Sequence, residues 1–419
     1  MNRIIVLTIF VLIVLSATSQ DLNYAKDIIK ELSSEKYYGR GYVNNGDSIT
    51  AYFLEKEFEK FNLKKFNNSY FQEYNISINS IEEPPILKFN GKELILAKDY
   101  VVIPSSPEIE GTFEIEWVDR KLLTNSRALK RFLSLDHSDK FICIDSTGMN
   151  NKELYEFANI IFSRNYIGAR GIIETIGQLK YTAHTGLKDF VYLQVDPGKI
   201  DTGSDSVYVK IKNNFTENYN TRNILGYLPG ESDTIIVIGA HYDHLGMLGN
   251  TVFPGANDNA SGVAMVLNLL DHYNNQNINK YTYVFTLFSG EEAGLLGSKY
   301  MTDNPPFNLS KVKAMINFDM IGTGEDGIYI FNADEYPGYN SIIKSLNKDK
   351  NYFDDIQTTG AVYSSDHASF HEKGVKSIFI FTKGDNNKYY HQPEDTYETI
   401  TFSAYSKIFE LVVDFINEI

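Results

Sequence analysis

Residues Thr234–Gly246 read TIIVIGAHYDHLG. An apolar run leads into a Gly-Ala step, and His241, Asp243 and His244 arrive together at its end. A short apolar run bounded by turn residues has the pattern of a strand buried on both faces. Such a strand ordinarily closes in a neutral turn; this one brings imidazole and carboxylate to its tip. The pattern repeats downstream. YTYVFTLF (Tyr281–Phe288) runs into SGEEAG, with Glu291 and Glu292, and VKAMINF (Val312–Phe318) runs into Asp319. A fourth run, KSIFIFT (Lys376–Thr382), precedes the loop YYHQPEDT (Tyr389–Thr396), which holds His391. Helical spacing lies between and after them, at about Ser261–Tyr273, Leu295–Thr302, Tyr339–Leu346 and Ala404–Ile416. Alternation of this kind predicts an α/β fold, with a mostly parallel twisted sheet and helices on both faces.

In an open parallel sheet, ligands bind beyond the carboxyl ends of the strands. Three strand tips therefore converge on one crevice. Asp258 joins them from PGANDNASG (Pro254–Gly262), just ahead of a predicted helix. So many carboxylates share a poorly solvated site only when cations neutralise them. Imidazole and carboxylate without thiolate suit zinc in a catalytic site, with cobalt or manganese as substitutes. Plainer readings stand beside this one. Asp258 has the position of a helix cap, Glu291 and Glu292 that of a solvated turn, and Asp319 that of a turn former. His244 fits either a supporting place behind the ligands or the rim.

The motifs AHYDHLG, PGANDNASG, SGEEAGLLGS, NFDMIG, SSDHASF and YHQPEDT stand in one order over about Asn223–Thr399. In that order they resemble the co-catalytic zinc aminopeptidases of clan MH. A weaker resemblance extends to Leu32–Leu63 through LSSEKYYGRGY. The resemblance implies two zinc ions, one on His241 and Asp319, the other on Glu292 and His391, with Asp258 bridging. It implies Glu291 as general base, Asp243 as the group fixing the His241 ring, and Tyr390 as the hydroxyl that steadies an oxyanion. Asp366 and His367 of SSDHASF read as pocket wall or support. The stretch MLGNTVF lengthens the interval between His241 and Asp258 and leaves the rim of the site open. Two rival functions remain. One is a single-zinc acyltransferase of the glutaminyl cyclase type, which commonly has tryptophan where this chain has Tyr390. The other is a non-catalytic binding protein on the same fold.

The rest of the chain sets the organisation. Leu22–Leu32 and Ile49–Phe61 have helical spacing around a polar loop. From Pro84 to Asn218 the texture is mainly β, as in TFEIEWV (Thr112–Val118) and VYVKIK (Val207–Lys212). Within it FICIDS (Phe141–Ser146), a helix near Leu154–Phe162 and GARGIIET (Gly168–Thr175) form a strand–helix–strand unit, which resembles a protease-associated insert. Met1-Asn2-Arg3, the apolar Ile4–Leu15 and the small residues to Ser19 have the layout of a secretory signal. The expected division is a signal peptide over 1–19, the start of the catalytic domain over 20–83, a β-rich insert over 84–218, and the catalytic domain proper over 219–419. Cys143 is the sole cysteine, so no internal disulfide is available. A net charge of -15 without a long basic run argues against nucleic acid or an anionic membrane as partner. The expected partners are peptides with a free N-terminus, met outside the cytoplasm in the periplasm or beyond, with no stable membrane insertion once the signal is removed.

Overall fold

The computed structural model describes residues 20–145 and 152–419; the predicted signal over Met1–Ser19 lies outside them. Among the described residues the chain forms two eight-stranded sheets and a short hairpin. The first sheet is built from β1 (Phe71–Ser80), β2 (Asn214–Leu228), β3 (Ile235–His241), β4 (Thr282–Phe288), β5 (Val312–Phe318), β6 (Ile328–Phe331), β7 (Ile356–Thr358) and β8 (Ser377–Thr382). Across the sheet they run β1-β2-β4-β3-β5-β8-β6-β7.

The centre is parallel: β3 pairs with β4 and β5, and β5 with β8. The margins are not. β2 is antiparallel to both β1 and β4, and β6 is antiparallel to β8. The fold is thus α/β with a parallel heart joined to its flanks by antiparallel pairs, the outermost pair β6–β7 being parallel again.

Strand periodicity explains why helices cover both faces. Successive side chains of β3 point to opposite sides. Ile236, Ile238 and Ala240 enter one core with the helices Leu22–Leu32, Gly46–Lys60, Ser261–Asn274, Pro337–Lys350 and Tyr405–Glu418. Ile235 and Val237 enter another, where Met301 and Phe370 arrive from helices Leu296–Asp303 and His367–Glu372. Each fully buried Ile or Val contributes about 1.5–3 kcal/mol of apolar burial. A continuous apolar run is what two covered faces require.

The second sheet lies wholly within residues 86–211, and β2 runs through residue 218, where the sequence reading ends the insert. Its middle strands, Ile109–Val118, Phe141–Ile144, Gly171–Thr175 and Val191–Val195, are parallel neighbours. The predicted strand–helix–strand unit is present, with Lys152–Phe162 as the helix. The two sheets meet through the stretch that lengthens the His241–Asp258 interval. It folds as a hairpin, Met247–Leu248 against Thr251–Val252, and seats Leu248 and Phe253 in the core of the second sheet.

Candidate metal centre

Because β3, β4 and β5 are adjacent and parallel, their carboxyl ends open on the same edge. His241 is the last residue of β3, Glu291 and Glu292 follow β4 by a three- and four-residue step, and Asp319 is the first residue past β5. Asp258 and His391 come from loops. All five predicted ligands and the predicted base converge.

His241 Nε2 lies 3.4 Å from Asp319 Oδ1, 3.5 Å from Asp258 Oδ1 and 4.0 Å from Glu291 Oε2. His391 Nε2 lies 3.1 Å from Glu292 Oε2 and 3.4 Å from the other oxygen of Asp258. Asp258 therefore faces both sides, one oxygen toward each histidine. Two sets of donor atoms gather within 4.8 Å of one another: His241, Asp258 and Asp319, and His244, Asp258 and Glu292. The His391 side chain is buried; Nδ1 has no hydrogen-bond partner, and Nε2 faces only the carboxylates of Glu292 and Asp258. Convergent oxygen and nitrogen donors of this kind are what zinc takes, and the residues fit it.

Proton affinities reflect the same crowding. Burial disfavours charge on His391, yet Glu292 and Asp258 beside it outweigh burial and push its pKa up to about 10. Burial also opposes charge on His241, and Glu291 and Asp319 likewise leave it well above the ordinary range. Glu291, buried, is raised well above a normal carboxyl, with His241 pulling the other way. Glu292 is buried too, but the imidazoles of His391 and His244 hold it well below. These opposed shifts follow from imidazoles and carboxylates crowded together in a buried site.

The supporting residues differ in part from the sequence expectation. The His241 ring is held by the backbone carbonyl of Asp243, 3.0 Å from Nδ1, while the Asp243 carboxylate stands 3.8 Å off. That carboxylate accepts instead from the Glu291 backbone N–H and the Tyr42 hydroxyl, each at 3.2 Å, and so fixes the loop of the base. His244 is fully buried, with Nδ1 2.7 Å from Glu292 Oε1. It stands beside the ligands, not on the rim. The Tyr390 ring stacks on His391 with centroids 3.7 Å apart. Burial, and then the acidic groups around it, raise the Tyr390 pKa, so its hydroxyl keeps the proton it would donate. Asp366 is buried, its carboxyl lifted to about 7 by burial against the pull of His241. His367 meets the Val362 carbonyl at 2.9 Å and is a structural histidine.

Two supporting residues escape a motif-by-motif reading. Asp395 takes the backbone N–H groups of Asn257 and Asp258 at 2.9 and 3.0 Å, which sets the loop that carries the Asp258 carboxylate. Arg40 is completely buried and donates to five carbonyls: Tyr242, Leu32, Pro254, Gly255 and Asp258, at 2.6–3.0 Å. Burial lowers its pKa to about 10, against the raising influence of Asp258 and Asp395, so it stays charged beneath the acidic cluster. Both lie inside stretches that carry the resemblance, YHQPEDT and LSSEKYYGRGY. Neither stretch marks which of its charged residues faces inward. The same loop needs Gly255, at φ +58, because a Cβ there would fall 2.1 Å from the Asp258 carbonyl oxygen.

His241, Asp258, Glu292 and Asp319, of the five predicted ligands, line a cavity of about 360 Å³. Asp258, Glu291, Glu292 and Asp319 form its floor, and Met320, Phe331, Phe379 and Phe381 give it an apolar wall. No helix of the described residues is long and apolar enough to cross a membrane.

Residues 223–416 match the profile of peptidase family M28. A probable leucine aminopeptidase of Trichophyton verrucosum is 30% identical over 263 residues, covering 57% of this chain and 66% of the relative. One from Arthroderma otae is 27% identical over 254 residues, covering 57% and 68%. The chain thus aligns with about two thirds of the length of these relatives. Among solved structures, the zinc aminopeptidase BSAP from Bacillus subtilis superposes with a TM-score of 0.71 at 21% identity, over 94% of both chains. The aminopeptidase from Aneurinibacillus sp. strain AM-1 gives 0.67 at 19%, over 96% of this chain and 94% of that one. These two likenesses show that the fold is shared through the second sheet as well.

Proposed function

Since the chain belongs to peptidase family M28 through residues 223–416, we propose that it is an exported two-zinc aminopeptidase that removes N-terminal residues from peptides. The observation that carries the reading is Asp258, which presents one oxygen to the His241 side and the other to the His391 side. His241 and Asp319 would hold one ion, Glu292 and His391 the other, with His244 orienting Glu292. When bound there, zinc supplies polarisation of the scissile carbonyl and a lowered pKa for water.

The chain's own groups do the rest. Glu291 stands beside the donor sets and takes the water proton, then gives it to the departing amine. The Tyr390 hydroxyl donates to the oxyanion. The acidic floor attracts a substrate ammonium, which favours a free N-terminus, and the apolar wall accommodates an apolar first side chain. Export rests on the Met1–Ser19 pattern. The probable leucine aminopeptidases among the relatives support the same substrate class.

The test is metal analysis and activity on one sample. Mature protein saturated with zinc and freed of excess should hold two ions per chain and cleave leucine arylamide. One ion per chain at saturation refutes the two-zinc reading, and full loading without release of any N-terminal residue refutes the aminopeptidase.

A further inference from the structure

The cavity is charged unevenly. Against its acidic floor, the outer wall carries Lys180 and Lys388. Lys180 is not part of the first sheet. It belongs to the segment that leaves Gly171–Thr175 of the second sheet and crosses to the cleft. That segment is fastened to the loop of His391. Gln178 Nε2 donates to the Lys388 carbonyl at 2.8 Å, the Tyr181 N–H to the His391 carbonyl at 3.4 Å, and Gln392 Nε2 to the Leu179 carbonyl at 3.5 Å. The Tyr181 ring stacks on Phe253 with centroids 4.8 Å apart. Lys180 is exposed, but its backbone is placed by neighbours on both sides. Its ammonium stands 5.3 Å from the centroid of the Tyr390 ring. Among the described residues no carboxylate pairs with it.

We propose that Lys180 is a specificity-determining residue that receives a substrate carboxylate on the leaving-group side. The inference rests on the aminopeptidase reading and deepens it. The preferred substrates are short peptides whose negative charge falls one or two residues beyond the scissile bond. With the α-ammonium on the acidic floor, an extended chain advances about 3.3–3.6 Å per residue, which sets the carboxylate of a di- or tripeptide about 7–10 Å away. A cavity of about 360 Å³ is, as a sphere, roughly 9 Å across, which is room for a peptide of that length, and both the acidic groups and Lys180 line it. Groups of opposite charge lining one cleft match a zwitterionic peptide. The carboxylate comes either from the C-terminus or from an acidic side chain.

The experiment compares kcat/KM of the zinc-loaded enzyme for Phe-Ala, Phe-Ala-amide and Phe-Asp-amide, at low and high salt, with Lys180→Met and Lys180→Arg beside the wild type. Wild type should prefer one of the charged peptides over Phe-Ala-amide roughly three- to tenfold at low salt, with the preference shrinking as salt rises. Lys180→Met should bring the ratio to about one, and Lys180→Arg should restore it. A preference for Phe-Ala identifies the C-terminal carboxylate, and one for Phe-Asp-amide the side chain. Equal ratios in wild type and Lys180→Met overturn the proposal. Failure of wild type to cleave all three overturns the aminopeptidase reading, and this one with it.

Discussion

Arg40→Met should destabilise the protein and loosen its hold on metal together. The five carbonyls that Arg40 reaches lie on three pieces of chain: the end of helix Leu22–Leu32, the turn after β3, and the loop of Asp258. Hydrogen bonds from a charged donor contribute about 1.5–3 kcal/mol each, and neutral ones nearer 1. Even at about 1 kcal/mol apiece the five sum to about 5 kcal/mol. Releasing the guanidinium from its buried place returns part of that, which leaves an expected loss of about 3–5 kcal/mol. This is a large share of the 5–15 kcal/mol typical of a folded domain. Three of the carbonyls, those of Pro254, Gly255 and Asp258, belong to the loop that carries the Asp258 carboxylate, so the variant should also bind zinc more weakly. Urea unfolding followed with and without a chelator reads the first effect, and competition with a coloured zinc indicator reads the second. Arg40→Lys keeps the charge but has fewer donors in a different geometry, and should fall between. Stability of Arg40→Met within about 1 kcal/mol of wild type, with zinc affinity unchanged, would refute the reasoning.

Three further outcomes are expected. Glu291→Gln should retain zinc while kcat falls by about 10²–10⁴, and a loss below tenfold on leucine arylamide rejects Glu291 as the base. Stripping the metal should lower the unfolding temperature, since a ligand at a hundred times its Kd stabilises by about 2.7 kcal/mol per site; coincident melting curves with zinc and with chelator would count against a native metal centre. Asp47 is buried against Tyr219 and Thr221, and burial raises its pKa from 3.8 to about 6. Between about pH 4 and 6 the folded protein holds a proton that the unfolded chain has released, so this residue's contribution falls as pH rises, by about 3 kcal/mol in all. Asp47→Asn should remove that slope, and a stability difference between variant and wild type that stays constant from pH 4 to 7 would contradict it.

The central strands were legible because burial on both faces leaves one signature. Val312–Phe318 is found with the predicted bounds, and β3, β4 and β8 lie within a residue of theirs at each end. The flanking strands were not. β1 reads FQEYNISINS and β2 NFTENYNTRNILGYL, and their polar residues fall mostly where the strands stand partly exposed, early in β1 and over Asn214–Asn220 of β2. Nothing local tells such a segment which sheet it joins. The convergence of His241, Asp258, Glu291, Glu292, Asp319 and His391 followed from strand ends and motif order. The supporting contacts did not. Whether Asp243 offers His241 its carboxylate or its carbonyl depends on the backbone path after β3, and the inward turn of His244 depends on how closely Gly255 lets the chain approach. Arg40 acts across more than two hundred residues of sequence, a distance over which spacing carries no information.

The strap that ties the second sheet to the His391 loop has a consequence for anyone reshaping this enzyme. His391 sits at φ +61, a backbone setting few histidines adopt, and the carbonyl of that residue is held by Tyr181. The metal centre is therefore finished by chain that belongs to its neighbour. A graft that swaps the second sheet for a relative's must carry residues 178–181 and the Phe253 seat as one piece, or the last histidine loses its anchor. Trimming the molecule to residues 219–419 would leave every candidate ligand in the polypeptide and remove the Tyr181 contact to the His391 carbonyl.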